Sequence, residues 1–263
     1  MTARRGLVVV AMALSGCVST QYSIPTQRQE YTFTTTEKEV EVGRQLAQQV
    51  EGELSLVADE KVQERVRSIG QQLAEVCDRK ELVYHFAVVA EPAVNAFSLP
   101  GGYVFVNEGL IDKTASDDEL ASVIAHEIAH IAARHSVKRY ETGLGAQLAH
   151  LASMLAVRDS RAVRGVGIAM QAAQLSYARQ DELDADRLAG RYLLAAGFDP
   201  QGALRMLERL HEVQLSERPR YLPRGATRPR YWMTHPFIPD RIRTVKEELF
   251  GVADYVDYLN TPE

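Results

Sequence analysis

The stretch His126-Glu127-Ile128-Ala129-His130 decides how the rest of this chain is read. Its two histidines are four residues apart, so on a helix they leave the same face, one turn above the other. Two imidazoles so placed can grip one divalent zinc ion, with the intervening glutamate beside any water held there. The flanks predict such a helix. Ser116 with Glu119 reads as a capping box, and Asp117 and Asp118 add negative charge to the first turn. Leu120 to Ala125 contains no Gly or Pro, and Gly143 is the next stop signal. A buried helix that carries two histidines for packing is the competing reading of the short motif alone.

Working outward, a length of 263 residues, 46% apolar and 25% charged, suits one or two globular domains with a substantial core. A net charge of −5 argues against a nucleic-acid partner. No internal segment is long and apolar enough for a transmembrane helix. The first residues read differently. Arg4 and Arg5 precede the apolar run Leu7 to Leu14, and Leu14-Ser15-Gly16-Cys17 looks like a bacterial lipobox. The alternative is an ordinary signal peptide with an incidental cysteine. On the lipobox reading, residues 1–17 hold a signal removed before Cys17. Several acyl chains on Cys17 then anchor the chain to a membrane more firmly than one would. Val18 follows the cysteine, where aspartate often marks retention in the inner membrane, so a periplasmic site on the outer membrane of a Gram-negative cell is expected. Cys77 is then the remaining cysteine, so no intrachain disulfide is expected; it reads as a partly buried helix residue.

Residues 18–35 are polar and read as a flexible tether, 36–255 as a single domain and 256–263 as a tail. Thr36 with Glu39 offers a capping box for a helix through Val50, and Asp59 to Val76 predicts a second, with Val62, Val66, Ile69 and Leu73 at helical spacing. Leu82 to Ala90 reads as a strand. After Asn95, Ala96 and Phe97, the run Pro100-Gly101-Gly102 turns the chain into a short strand, Tyr103 to Val106. That strand is either a sheet edge that pairs with an extended peptide or one arm of a plain hairpin. Residues 143–176, rich in Ala, Gly, Leu and Met, read as a helical hairpin over the site. A helix from Ala178 to Ala196 ends at Gly197, and another surrounds Ala203 to Val213. Five arginines in the 216–233 loop solvate it, pair with the acidic body or touch anionic lipid.

Two histidines do not complete a zinc site. His135 lies nine residues beyond His126, about 180° around a continuous helix, so it reads as a surface residue or one behind the ligands. Glu182 is the better third ligand. It shares a separate helix with Asp186, four residues on, and Asp186 can accept the free ring N–H of a zinc-bound histidine. By composition alone, such an acidic pair is also an ordinary solvated helix face.

In order, the Asn95-to-Gly102 stretch, His126 to His130, Glu182 to Asp186, Gly197-Phe198-Asp199-Pro200, and Thr234-His235-Pro236 before Asp240-Arg241 resemble the HtpX/BepA-type zinc metallopeptidases. These are relatives of the CAAX prenyl protease within the gluzincin clan, and the resemblance spans roughly residues 37–250. It implies an α+β, mainly helical zincin fold of the minigluzincin kind, with a small β-sheet beside the H-E-x-x-H helix. It implies one Zn2+ on His126, His130 and Glu182, and Glu127 as catalytic base. His235 would reach the site as oxyanion donor or plug, and Arg241 would pair with an acid such as Asp186. Asn95, Ala96, Phe97, Gly101, Gly102 and Tyr103 would contact substrate. One departure is Tyr177-Ala178-Arg179, where many relatives have Ser-Arg. The expected function is a zinc endopeptidase acting on misfolded or stalled envelope polypeptides laid along the edge strand, with outer-membrane assembly machinery as a further partner. The alternatives are a chaperone or assembly factor with a latent site, and a zinc hydrolase of non-peptide bonds such as cell-wall amides.

Overall fold

The computed structural model describes residues 19–23, 28–143, 177–216 and 231–250. The expected lipobox with Cys17, the hairpin over the site beyond 143, most of the arginine-rich loop and the C-terminal tail lie outside them.

Where a flexible tether was expected, Ser19–Ser23 (β1) and Arg28–Thr32 (β2) pair antiparallel, with Ser19 opposite Thr32. Tyr and Thr favour the extended chain, but strands without an apolar alternation give no pattern that separates them from a linker.

Thr36–Glu53 forms α1 and Glu60–Val76 forms α2. The cap of α1 is Thr35, one residue earlier than expected, its hydroxyl accepting from the Lys38 amide. Glu39 does not reach back to that cap. Its buried carboxylate instead accepts two hydrogen bonds from Arg79, at 2.9 and 3.0 Å. Asp59 caps α2, whose Val66, Ile69 and Leu73 are buried.

The sheet has three strands, His85–Val89 (β3), Ala96–Leu99 (β4) and Tyr103–Asn107 (β5), in the order β3-β5-β4. Of the two readings of Tyr103 to Val106, the hairpin arm holds: the strand lies at the centre, antiparallel to β4 and parallel to β3, and not at an edge. The outer side of β3 is closed. The Gln63 amide donates to the Val88 carbonyl and accepts from its N–H, both at 2.9 Å, and the Val57 N–H reaches the same carbonyl. The other edge is β4. The Asn107 N–H donates to the Asn95 carbonyl, so in this register Phe97 and Leu99 turn their backbone groups to β5, and Ala96 and Ser98 turn theirs away.

Glu108–Ile111 is a short helix, α3, and Asp117–Ala132 is the central helix, α4. The Glu119 amide donates to the Ser116 hydroxyl at 3.2 Å, and the Glu119 carboxylate accepts from Ala115 N–H, one residue before the cap. Every residue from Glu119 to Ala132 is buried, which fits a helix with no polar stripe. It packs against α2, β4 and the two helices Arg179–Ala196 (α5) and Gln201–Ser216 (α6). The expected run to Gly143 is interrupted. Arg134 adopts φ 59°, bonded to the Thr34 carbonyl and 3.3 Å from Glu39, and helical structure resumes at 135–143. Gly197 at φ 83° closes α5 as expected. The short helix Tyr231–Thr234 (α7) then leads into Ile238–Phe250 (α8). No helix among the described residues is long and apolar enough to cross a membrane.

Candidate metal centre

The enclosure of α4 puts His126, Glu127 and His130 in the protein interior, and α5 lies against it with Glu182 facing them. His126 Nε2 and His130 Nε2 are 3.0 Å apart, and each lies 3.4 Å from a Glu182 carboxylate oxygen. His235, placed by the turn after α7, brings its Nδ1 to 3.1 Å from Glu182 and 3.4 Å from His126 Nε2. One ligand atom from each of these four residues falls within a set spanning no more than 4.8 Å. A zinc ion about 2.0–2.1 Å from four tetrahedral donors sets those donors roughly 3.3 Å apart, so the set fits zinc.

Charge fits it too. Glu127, Glu182 and Asp186 are all buried, and the guanidinium of Arg241 is paired with two of them. The two negative charges left over match a divalent cation. Burial alone would raise the Glu182 carboxyl, but Arg241, then His235 and the hydrogen bonds from His126 and His130, hold it well below the usual carboxylate range. Burial and Arg241 would lower His126, yet Asp186 and Glu182 raise it to about 9, the mark of a site that draws in positive charge.

Asp186 sits where expected, its Oδ1 2.9 Å from His126 Nδ1. Arg241 grips Asp186 with two prongs and reaches Glu182 at 2.8 Å with the third nitrogen. Glu127 is fully buried, and neither of its oxygens has a hydrogen-bond partner; His235 Nε2 lies 3.2 Å from Oε1. A buried carboxylate without a hydrogen bond beside such a donor set is suited to taking and giving a proton.

The residues expected to contact substrate divide. Asn95, Ala96 and Phe97 lie on or beside the edge strand next to α4, and the Thr234 hydroxyl, beside His235, bonds the Asn95 side chain at 3.2 Å. The structure does not bring Gly101, Gly102 and Tyr103 to the metal-binding set. Gly101 lies against Glu39 and Val40, Gly102 against Val83, and Tyr103 stacks on His85.

Near the set, sequence reasoning missed two aromatic residues and left His135 between the surface and a place behind the ligands, which is where it lies. His135 is buried, 3.0 Å from His130, because the chain breaks at Arg134, where no Gly or Pro signals a turn. The Tyr177 ring stacks on His130 at 3.7 Å, and burial pushes its phenol to about 12. Tyr231 stacks on His235 at 4.5 Å and accepts a hydrogen bond from Arg241. Aromatic residues so far along the chain carry no local mark of their partners.

This geometry agrees with what the chain is similar to. The beta-barrel assembly-enhancing protease of Escherichia coli (strain K12) is 28% identical over 215 residues, covering 78% of this chain and 42% of that protein. The mitochondrial metalloendopeptidase OMA1 of Schizosaccharomyces pombe is 30% identical over 190 residues, covering 70% of this chain and 52% of the relative. The chain thus spans about half the length of these relatives. The model of Peptidase family M48 matches residues 60–249, the segment from α2 through α8 that carries every member of the metal-binding set. The chain belongs to peptidase family M48.

Proposed function

We propose that this chain is a zinc-dependent endopeptidase that cleaves extended segments of misfolded or stalled proteins in the bacterial cell envelope, tethered to the outer membrane through Cys17. The observation that carries the chemistry is the convergence of His126, His130 and Glu182 beside the buried Glu127, whose oxygens make no hydrogen bond. Zinc held by these three residues supplies Lewis acidity that polarises a carbonyl and makes water acidic near neutral pH. Glu127 takes the proton of the attacking water and delivers it to the leaving amine. His235 donates from its ring to the developing oxyanion once it has swung clear of Glu182. The backbone groups of Ala96 and Ser98 face away from β5 but are buried, so an extended peptide pairs with this edge only once the groups over it have moved aside, which is a reason to expect unfolded rather than folded substrates.

A second reading, an assembly factor or chaperone with a largely latent site, draws on the position of His235. With its Nδ1 3.1 Å from Glu182 and 3.4 Å from His126, it supports a resting state in which His235 fills the fourth corner as a plug. The beta-barrel assembly-enhancing relatives carry both words, assembly and protease, in their name.

The test is degradation of an unfolded outer-membrane protein by the purified chain and by Glu127→Gln, with zinc assayed in both. Cleavage by the wild type alone, at equal zinc, establishes the peptidase and its base. If neither cleaves and both hold zinc, the latent reading holds, and release of cleavage by His235→Ala confirms the plug. Absence of zinc from both sinks the metal centre.

A further inference from the structure

His130 offers one nitrogen to the metal-binding set and turns the other away from it. Its Nε2 lies 3.0 Å from His126 Nε2 and 3.4 Å from Glu182, whereas its Nδ1 lies 3.0 Å from Nδ1 of His135. A nitrogen that gives its lone pair to a metal leaves the ring hydrogen on the other nitrogen. Nδ1 of His130 is then the donor and Nδ1 of His135 the acceptor. That in turn puts the hydrogen of His135 on its Nε2, which lies 3.5 Å from Asp181 Oδ1, within ion-pair range but not hydrogen-bonded to it. The direction runs outward from the metal-binding set, from His130 to His135, with Asp181 as the carboxylate nearest the far side of His135.

The break in α4 makes this possible. Arg134 at φ 59° folds the chain back so that His135 passes beneath His130 instead of pointing to the opposite side. A left-handed conformation is uncommon for a non-glycine residue, and here Glu39 and the Thr34 carbonyl hold it. On its flat side, the His130 ring is pressed against Tyr177 at 3.7 Å with an interplanar angle of 12°. Edge and face of this one imidazole are therefore both fixed by the protein.

We infer that His135 is a positioning residue for the metal centre: it accepts the Nδ1–H of His130 and sets that ring's tautomer and angle, with Asp181 close to its other nitrogen. The inference rests on the reading of His126, His130 and Glu182 as metal ligands. It makes the two ligand histidines unlike. His126 is oriented by a carboxylate, Asp186, that Arg241 neutralises. His130 is oriented by a neutral ring, which adds no fourth negative charge to a site whose three carboxylates Arg241 and a divalent ion already balance.

The test measures zinc affinity by chelator competition on the purified chain for wild type, His135→Ala, His135→Asn and Asp181→Asn. His135→Ala is expected to weaken zinc by roughly 10–100-fold, the usual effect of losing a group that orients a ligand. His135→Asn is expected to recover most of that, because its carbonyl oxygen stands where Nδ1 stood, and Asp181→Asn to lose less than His135→Ala. Thermal unfolding of the metal-free proteins separates positioning from general destabilisation: the Asn variant should match wild type there. Zinc affinity unchanged in His135→Ala overturns the inference. So does a long-range nitrogen–proton NMR spectrum of the wild-type zinc form that shows His130 protonated at Nε2, a measurement that needs no variant to fold. A wild type that binds no zinc overturns instead the metal reading beneath it.

Discussion

Arg241 and Asp186 meet in a two-pronged ion pair, Nε to Oδ2 and Nη2 to Oδ1, both at 2.7 Å and both sealed from solvent. The same guanidinium reaches Glu182, so one side chain of α8 holds two acids of α5 in place. Breaking a buried pair by removing one partner leaves a charge without its counterion, which typically costs about 3–5 kcal/mol. Arg241→Met is therefore expected to lower the stability of the metal-free chain by that order, read from the denaturant midpoint. Arg241→Lys should recover only part of it, since a single ammonium cannot match the fork. Equal stability of the Met variant and wild type would remove Arg241 from its place as keystone.

The same contacts set an acid limit. Burial raises Glu182 and Asp186, but Arg241 outweighs it and both end below the ordinary values of 4.5 and 3.8. In that window the unfolded chain binds more protons than the folded one, so stability falls as pH drops. The contribution is full above the ordinary values and is lost as pH falls through the depressed ones. Metal-free wild type should therefore lose stability below pH 4.5 more steeply than Glu182→Gln/Asp186→Asn, measured by chemical denaturation across pH. Parallel profiles would show that these acids are not linked to folding.

How much of this was legible follows from where each contact's information resides. The metal-binding set was readable because His126 and His130 share a helix face, and Glu182 and Asp186 share another at the same spacing. Periodicity also placed α2 and α5 to within a residue. The order of strands was not readable: nothing local to Tyr103–Asn107 says that β3 will flank it on the far side, since that pairing is parallel and long-range. Nor was the break at Arg134, because the residues that hold its left-handed turn, Glu39 and Thr34, lie a hundred positions away or nearly so. For that reason the reading of His135 stayed divided between the surface and a place behind the ligands, and the structure puts it behind His130.

The Pro-Gly-Gly turn offers a direct check on the expectation that Gly102 contacts substrate. Gly102 has φ 103°, and a Cβ there would stand 2.4 Å from the Val83 carbonyl oxygen. Gly102→Ala should therefore destabilise the chain by about 1–3 kcal/mol or more through backbone strain. Zinc affinity, and KM for a short peptide assayed well below the melting temperature, should stay as in wild type. A raised KM with unchanged stability would return Gly102 to the substrate-binding residues.

The edge of β4 gives a test of how substrate would bind. Ser98 turns its backbone N–H away from β5, so a proline there removes no hydrogen bond of the sheet, although the residue is buried and a peptide reaches this edge only after its cover has moved. An extended peptide laid along β4 would lose a partner and meet the pyrrolidine ring. Ser98→Pro is thus expected to raise KM for an unfolded polypeptide at least tenfold, roughly the 1.4 kcal/mol of one good hydrogen bond. Zinc content and circular dichroism equal to those of the wild type are the control that lets KM be read, because Ser98 is buried beside Tyr177. Leu99→Pro supplies the contrast, because its N–H faces β5 and its loss should damage the sheet itself. If Ser98→Pro folds, holds zinc and cleaves with an unaltered KM, peptide addition to this edge is wrong, and substrate reaches Glu127 along another path.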